Sequence, residues 1–172
     1  MTVLLRPASP GRSNAFVALG AAIVTVAGVA LATPVSVLTV SDGVTEFVGT
    51  LDAEEALQYS YRQSIYRVTV FEDLTREGTG LRIQRVRSSD IRSIEYFGWR
   101  GEPAQSEGLW TEASPPTVAA DPALVIRITP AGEQALSTSR WRIELKPRFG
   151  ETVVRVRAED RPWVLAVLEG AR

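Results

Sequence analysis

A chain of 172 residues without a single histidine or cysteine lacks most of the usual catalytic repertoire. Triads built on Ser-His or Cys-His are excluded, and so are thiolate chemistry, disulfides, iron–sulfur clusters and a diacylglyceryl anchor. The commonest metal ligand and the usual neutral-pH base are missing too. Carboxylates remain: Glu72 with Asp73, and Asp52 with Glu54 and Glu55. A glycosidase needs two carboxylates across one cleft, and this spacing does not place them so; the Asp52 group reads as a solvated cluster at a turn or helix start. No loop has the dense oxygen ligands of a calcium site. Gly78-Thr79-Gly80 lacks the Gly-Lys-Ser/Thr and following helix of a phosphate loop and reads as a turn. The only lysine, Lys146, falls on the polar face of an expected strand, which disfavours a Ser-Lys dyad. The expectation is a protein that is not an enzyme, with no cofactor and no metal.

Glu72 is the carboxylate in the least ordinary setting. Along Tyr66, Val68, Val70, Glu72 and Leu74 every second residue is apolar except Glu72, so its side chain points to the side that should be dry. With Leu74 opposite Ile83 in the next strand, Glu72 falls opposite Arg85 and Val70 opposite Arg87, which predicts a cross-strand ion pair of Glu72 with Arg85. Arg62, Arg67, Arg85 and Arg87 together offer planar forks suited to a carboxylate or phosphate ligand.

The elements that would hold these residues are short and β-rich. Val35–Val40 and Val44–Thr50 flank Ser41-Asp42-Gly43, a hairpin signal. Leu57, Tyr59 and Tyr61 alternate with polar residues. A long strand is expected from Ile65 to Thr75, its partner from Leu81 to Ser88, and another strand over Ile91–Trp99. Residues 101–122, rich in Gly, Pro, Ser, Ala and Glu, read as a long surface loop in which Trp110 has little local core to join and could touch a partner or membrane. Beyond Leu124–Thr129, Trp141, Ile143 and Leu145 alternate with charged residues. A Pro147–Glu151 turn then leads to Thr152–Arg157, predicting a hairpin. Tyr59, Tyr61, Tyr66, Tyr96, Phe97 and Trp99 are expected to fill a core. At the end, Asp160 as cap, Pro162 in the first turn and Gly170 beyond predict a short helix, with a terminal strand competing. The fold class is mainly β, an antiparallel sandwich or open barrel.

The first residues differ from all of this. Ala15–Ala32 carries no charge over 18 residues, and as a helix spans roughly 27 Å, close to a hydrocarbon core of about 30 Å. Arg6 and Arg12 precede it, and no basic residue follows until Arg62. Positive charge retained inside places residues 1–14 in the cytoplasm, 15–33 in the membrane as anchor or signal segment, and 34–172 outside. Ala30-Leu31-Ala32 also suits signal peptidase, so the domain is membrane-anchored or secreted. Without Arg6 and Arg12 the rest holds 17 basic and 20 acidic residues. That is no positive excess for phosphate contacts, and nucleic acid is not an expected partner.

The run from Tyr59 to Glu72 resembles the signature of the domain of unknown function 1850 family: Tyr61, Ser64, Ile65, Arg67, Val70 and Glu72 match in register. Gln63 stands where that family has histidine and Thr69 where it has proline. The resemblance covers residues 30–100 best and implies an uncharacterised accessory of tripartite (TRAP-like) solute transport systems, partnered by a multi-spanning permease. Gln63 can hydrogen-bond as a histidine can, but does not change charge between pH 5 and 8. Candidate partner- or ligand-binding residues are Tyr61, Gln63, Ser64, Arg67, Glu72 and Arg85. The alternatives are an anion-binding module built on the arginines and a structural or interaction domain of the cell envelope.

Overall fold

A computed structural model describes residues 33–52, 54–99, 101–112 and 120–170, the last four by backbone alone. The segments expected over 1–14 and 15–33 lie outside these residues, Thr33 excepted. Among the described residues no helix is long and apolar enough to cross a membrane.

The chain is mainly β and forms two antiparallel sheets. Strands β1 (Pro34–Ser41) and β2 (Glu46–Thr50) make the expected first hairpin. Its turn closes because the Asp42 carboxylate accepts from the backbone of Val44 and Thr45, and Gly43 takes φ +94°. Next come β3 (Leu57–Arg62), β4 (Thr69–Glu77) and β5 (Gly80–Ser88), a meander in which Glu77 to Gly80 is the turn read from sequence. Helix α1 (Ile91–Glu95) and the hairpin β6 (Ala104–Ser106) and β7 (Leu109–Glu112) follow. The remainder is β8 (Leu124–Arg127), β9 (Ala135–Ser137), β10 (Arg142–Glu144), α2 (Leu145–Phe149), β11 (Val153–Pro162) and α3 (Trp163–Gly170). One sheet has the order β2-β1-β11-β8 and the other β10-β9-β3-β4-β5-β7-β6.

Alternation explains the shared core. Leu38, Val40, Val154 and Val156 of the first sheet join Leu57, Leu74, Leu81, Leu136 and Ile143 of the second in one buried cluster. Trp141 ties the sheets together at one side. Its ring lies on Gly49, where a Cβ would come within 2.6 Å of it, its indole donates to the Thr50 carbonyl at 2.8 Å, and it meets Phe47 edge-on. The other face of β1 and β2 is dry as well: Val35, Val37 and Val48 pack with Ala166 of α3.

Several expectations are corrected. Ile65–Val68 is not strand; the chain turns there and β4 begins at Thr69. Ile91–Trp99 holds a helix, because the Asp90 carboxylate accepts from the Arg92 backbone and starts it. Within 101–122 the β6–β7 hairpin extends the larger sheet, while 113–119 lie outside the described residues. The last hairpin does not form. β10 and β11 belong to different sheets, joined by α2, whose Leu145 and Phe149 are buried at the core while Lys146 is exposed. The terminal helix exists but starts at Trp163; Asp160 is still in β11, paired with Arg76 instead of capping.

Candidate functional site

The signature-like run folds as the β3–β4 hairpin. Tyr61 pairs with Val70 and Arg62 with Thr69. The Gln63 backbone donates to the Val68 carbonyl at 2.9 Å and the Arg67 backbone to the Gln63 carbonyl at 2.8 Å, closing the turn. Arg67 sits at φ +57°, a left-handed conformation that a side-chain-bearing residue adopts at some cost. The turn sorts the candidates. Ser64, Ile65 and Arg67 are exposed; Gln63 and Glu72 are buried, and Tyr61 lies partly buried in a second apolar cluster.

That cluster is Val70, Val86 and Ile94, with Tyr61, Phe97, Trp99 and Trp110 against it. Trp110 is therefore packed, contrary to the loop reading, because β7 brings it beside Ser88 on the inner face. Tyr59 and Tyr61 stack with ring centroids 5.1 Å apart. Across the strands, Tyr59, Glu72, Val86 and Glu112 form one row on the inner face of the larger sheet. Glu112 escaped the sequence reading, although Trp110 and Glu112 share one phase of alternation. The row sets two buried carboxylates about 10 Å apart at Cα, one strand between them. Burial pushes the Glu72 carboxyl up to about 7, held from going higher by the Tyr61 phenol donating to it. Burial first, and the Glu72 charge second, push both tyrosines upward. Gln63 buries its side-chain oxygen with no hydrogen-bond partner among the described residues.

The predicted Glu72–Arg85 pair is not formed. Leu74 does lie opposite Ile83, but the register then skips Gln84: Asp73 faces Arg85, Glu72 faces Val86, Phe71 faces Arg87 and Val70 faces Ser88. This one-residue bulge turns both arginines to the outer face. There Arg85 Nε donates to Asp73 at 2.7 Å, Arg87 at 2.9 Å and Gln58 at 3.3 Å. Burial alone would raise the Asp73 carboxyl, yet Arg87, Arg85 and Gln58 together hold it below its ordinary value. The signal for the bulge was present, since Leu81 and Ile83 are two apart but Val86 follows after three.

The four arginines do not converge. Arg62 pairs with Glu133 at 3.0 Å, Arg85 and Arg87 share Asp73, and Arg67 stays on the turn. Of the four, only Arg62 lines a half-open cleft of about 740 Å³ on the outer face, with Phe71, Gln134, Arg142, Glu144 and Lys146. Nor is the Asp52 group simply solvated: Glu55 accepts from Ser139 and Arg140, and Asp52 pairs with Arg140 at 3.1 Å. Burial works against the Glu55 charge, but the bonds from Ser139 and Arg140 bring its carboxyl down to about 2. Among the described residues no group of His, Cys, Asp or Glu could hold a metal ion.

At the tip, the Arg92 guanidinium lies 4.8 Å over the Tyr66 ring and docks the turn onto α1. Tyr96 stands one helical turn beyond Arg92 and is 66% exposed; Ile65 is 62% exposed. The tip thus exposes Ile65 with Ser64 and Arg67 from the turn and Tyr96 from the end of α1, while Gln63 and Glu72 are buried and Tyr61 is partly buried. Compared with protein-family models, curated proteins and solved structures, the chain matches none.

Proposed function

We propose that this chain is a non-enzymatic, membrane-anchored extracytoplasmic domain, a two-sheet sandwich, that serves a tripartite solute transport system by binding its multi-spanning permease through the β3–β4 tip. The observation that carries this reading is the exposure of Ile65 on the turn and of Tyr96 at the end of α1, each more than half exposed, on two elements that Arg92, itself paired with Asp90, joins by lying over the Tyr66 ring. Exposed apolar groups rimmed by charge mark protein-interaction surfaces. The resemblance of Tyr61–Glu72 to a transporter-associated family supports the choice of partner, and the uncharged segment behind Arg6 and Arg12 supports the location. Inside the hairpin, Tyr61, Gln63 and Glu72 set the tip's shape.

The test is capture of the tagged full chain from detergent-solubilised membranes. A multi-spanning permease is expected to co-purify, and Ile65→Asp combined with Tyr96→Ala should reduce its recovery at least tenfold with an unchanged melting temperature. Recovery of the chain alone, or equal recovery with the variant, overturns the reading.

A second reading rests on the outer cleft. Arg62, Arg142 and Lys146 line it with Glu133 and Glu144; Arg62 pairs with Glu133 and Lys146 with Glu151, while Arg142 makes no ion pair among the described residues and is the cation left for a ligand. A dicarboxylate or tricarboxylate would fit this chemistry. It should then raise the melting temperature of the chain by several degrees, and Arg142→Ala should abolish that rise.

A further inference from the structure

The start of α3 lies beside Thr33, the residue that follows the uncharged segment in the sequence. Ala32 ends the segment, Thr33 is the single residue before β1, and Pro34 pairs with Pro162 across β1 and β11. The Trp163 backbone donates to the Thr33 carbonyl at 2.9 Å. Trp163 is thus held one residue along the chain from the end of that segment.

α3 is also unusual in composition. Residues 163–168 read Trp-Val-Leu-Ala-Val-Leu, without one polar side chain. In its first turn only Ala166, the smallest, is buried, seated on Val35, Val37 and Val48. Trp163 is 46% exposed, Leu165 is 44% exposed, and Val164 is partly exposed. A soluble surface helix shows a polar face opposite its buried stripe. This turn shows none. One small residue is buried and Val164 partly so, while the two largest, Trp163 and Leu165, stay exposed.

We propose that the first turn of α3 is a membrane contact: Trp163 and Leu165 rest at the headgroup–acyl boundary of the bilayer that residues 15–32 enter. The inference rests on the anchored reading given above. Geometry selects the bilayer as occupant, because one residue of chain separates the anchor from this turn and an extended residue spans only about 3.4 Å. Chemistry agrees, since tryptophan is enriched at that interface and an apolar turn gains by leaving water there. The contact gives the anchored domain a fixed tilt, where a bare tether would leave it swinging.

The chain has no native cysteine, so single cysteines can be introduced and labelled with an environment-sensitive fluorophore. Full-length Leu165→Cys and Trp163→Cys are compared with Val44→Cys, whose native side chain is 95% exposed. All three are reconstituted in phosphatidylcholine–phosphatidylglycerol vesicles. Labels at 163 and 165 are expected to shift to the blue and to be quenched at least threefold more than the label at 44 by lipids carrying a shallow nitroxide. Quenching by aqueous iodide equal to that at 44 overturns the contact. Protection from both quenchers also overturns it, and indicates cover by protein, either a second copy or residues 15–32 themselves. Resistance to carbonate extraction is scored in the same samples: a chain that is extracted fails the anchored reading, whereas a retained chain with water-exposed labels fails only the contact.

Discussion

Glu72 and Asp73 are neighbours in one strand, carry the same charge and are each 7% exposed, yet their carboxyls move in opposite directions. The strand's alternation sends them to opposite faces. On the outer face Asp73 meets Arg85, Arg87 and Gln58, and the bonds overcome the burial. On the inner face Glu72 meets Tyr59, Val86 and one phenol, and burial dominates, bringing it up to about 7. Burial alone does not decide what a carboxylate does; the donors on its side of the sheet do.

The largest expected effect tests the inner half of that contrast. The folded Glu72 carboxyl, at about 7, lies above its unfolded value of 4.5. The native state therefore holds a proton that the unfolded chain releases. The stability linked to this group is full below pH 4.5, and is lost as pH rises to 7 and beyond, by about 3 kcal/mol. Glu72→Gln removes the ionisation. It is expected to match the parent near pH 4 and to exceed it by up to about 3 kcal/mol at pH 8, read by urea unfolding at both values. A variant that loses stability at pH 8 would mean that an unseen cation partners Glu72.

Asp73 carries the opposite sign. Its depressed carboxyl stabilises the fold above its unfolded value of 3.8 and ceases to do so as pH falls through its lower folded value. Asp73→Asn leaves two guanidiniums facing a neutral amide. Arg85 is 48% exposed and Arg87 23%, so water screens part of the loss, and about 1–2 kcal/mol at pH 7 is expected rather than the full cost of a buried orphan charge. The penalty should shrink toward pH 2, and a penalty constant across pH would show that packing, not charge, is responsible.

Much of this fold was legible because alternation speaks plainly in strands that are dry on one side. The β1–β2 hairpin, the turn between β4 and β5, and Glu72 on the inner face all follow from period two. What was missed has identifiable physical causes. β10 and β11 alternate well but pair with different sheets, and pairing is a long-range matter that local periodicity does not contain. Ile91–Trp99, expected as a strand, holds a helix because Asp90, a helix starter, was the stronger local signal. Within the site, residues brought by distant strands were invisible: Glu112 reaches the Glu72 row only because β7 adds to β5, and the tip's apolar face needs α1 under the turn. The Glu72–Arg85 error was smaller in kind. It came from carrying the register on from Leu74 opposite Ile83 without a break, when a single skipped residue shifts the phase.

That single residue supplies the mildest test. Gln84 is skipped by the register, is exposed, and its amide donates to Thr75 at 2.9 Å. Deleting it would leave Ile83 inward, Arg85 outward and Val86 inward, a regular alternation that preserves Leu74 opposite Ile83 and Asp73 opposite Arg85. The deletion is therefore expected to fold and to cost under about 1 kcal/mol, a shift of a few degrees in melting temperature, with the Asp73 pH signature retained. If the strand instead slipped by one residue, Arg85 would turn inward beside Glu72 and the two carboxylates would exchange environments. The acid-favouring dependence of Glu72 would then vanish along with the Asp73 pairing, so one pH–stability curve on the deletion tells whether the bulge merely relaxes the sheet or sets which carboxylate keeps its proton.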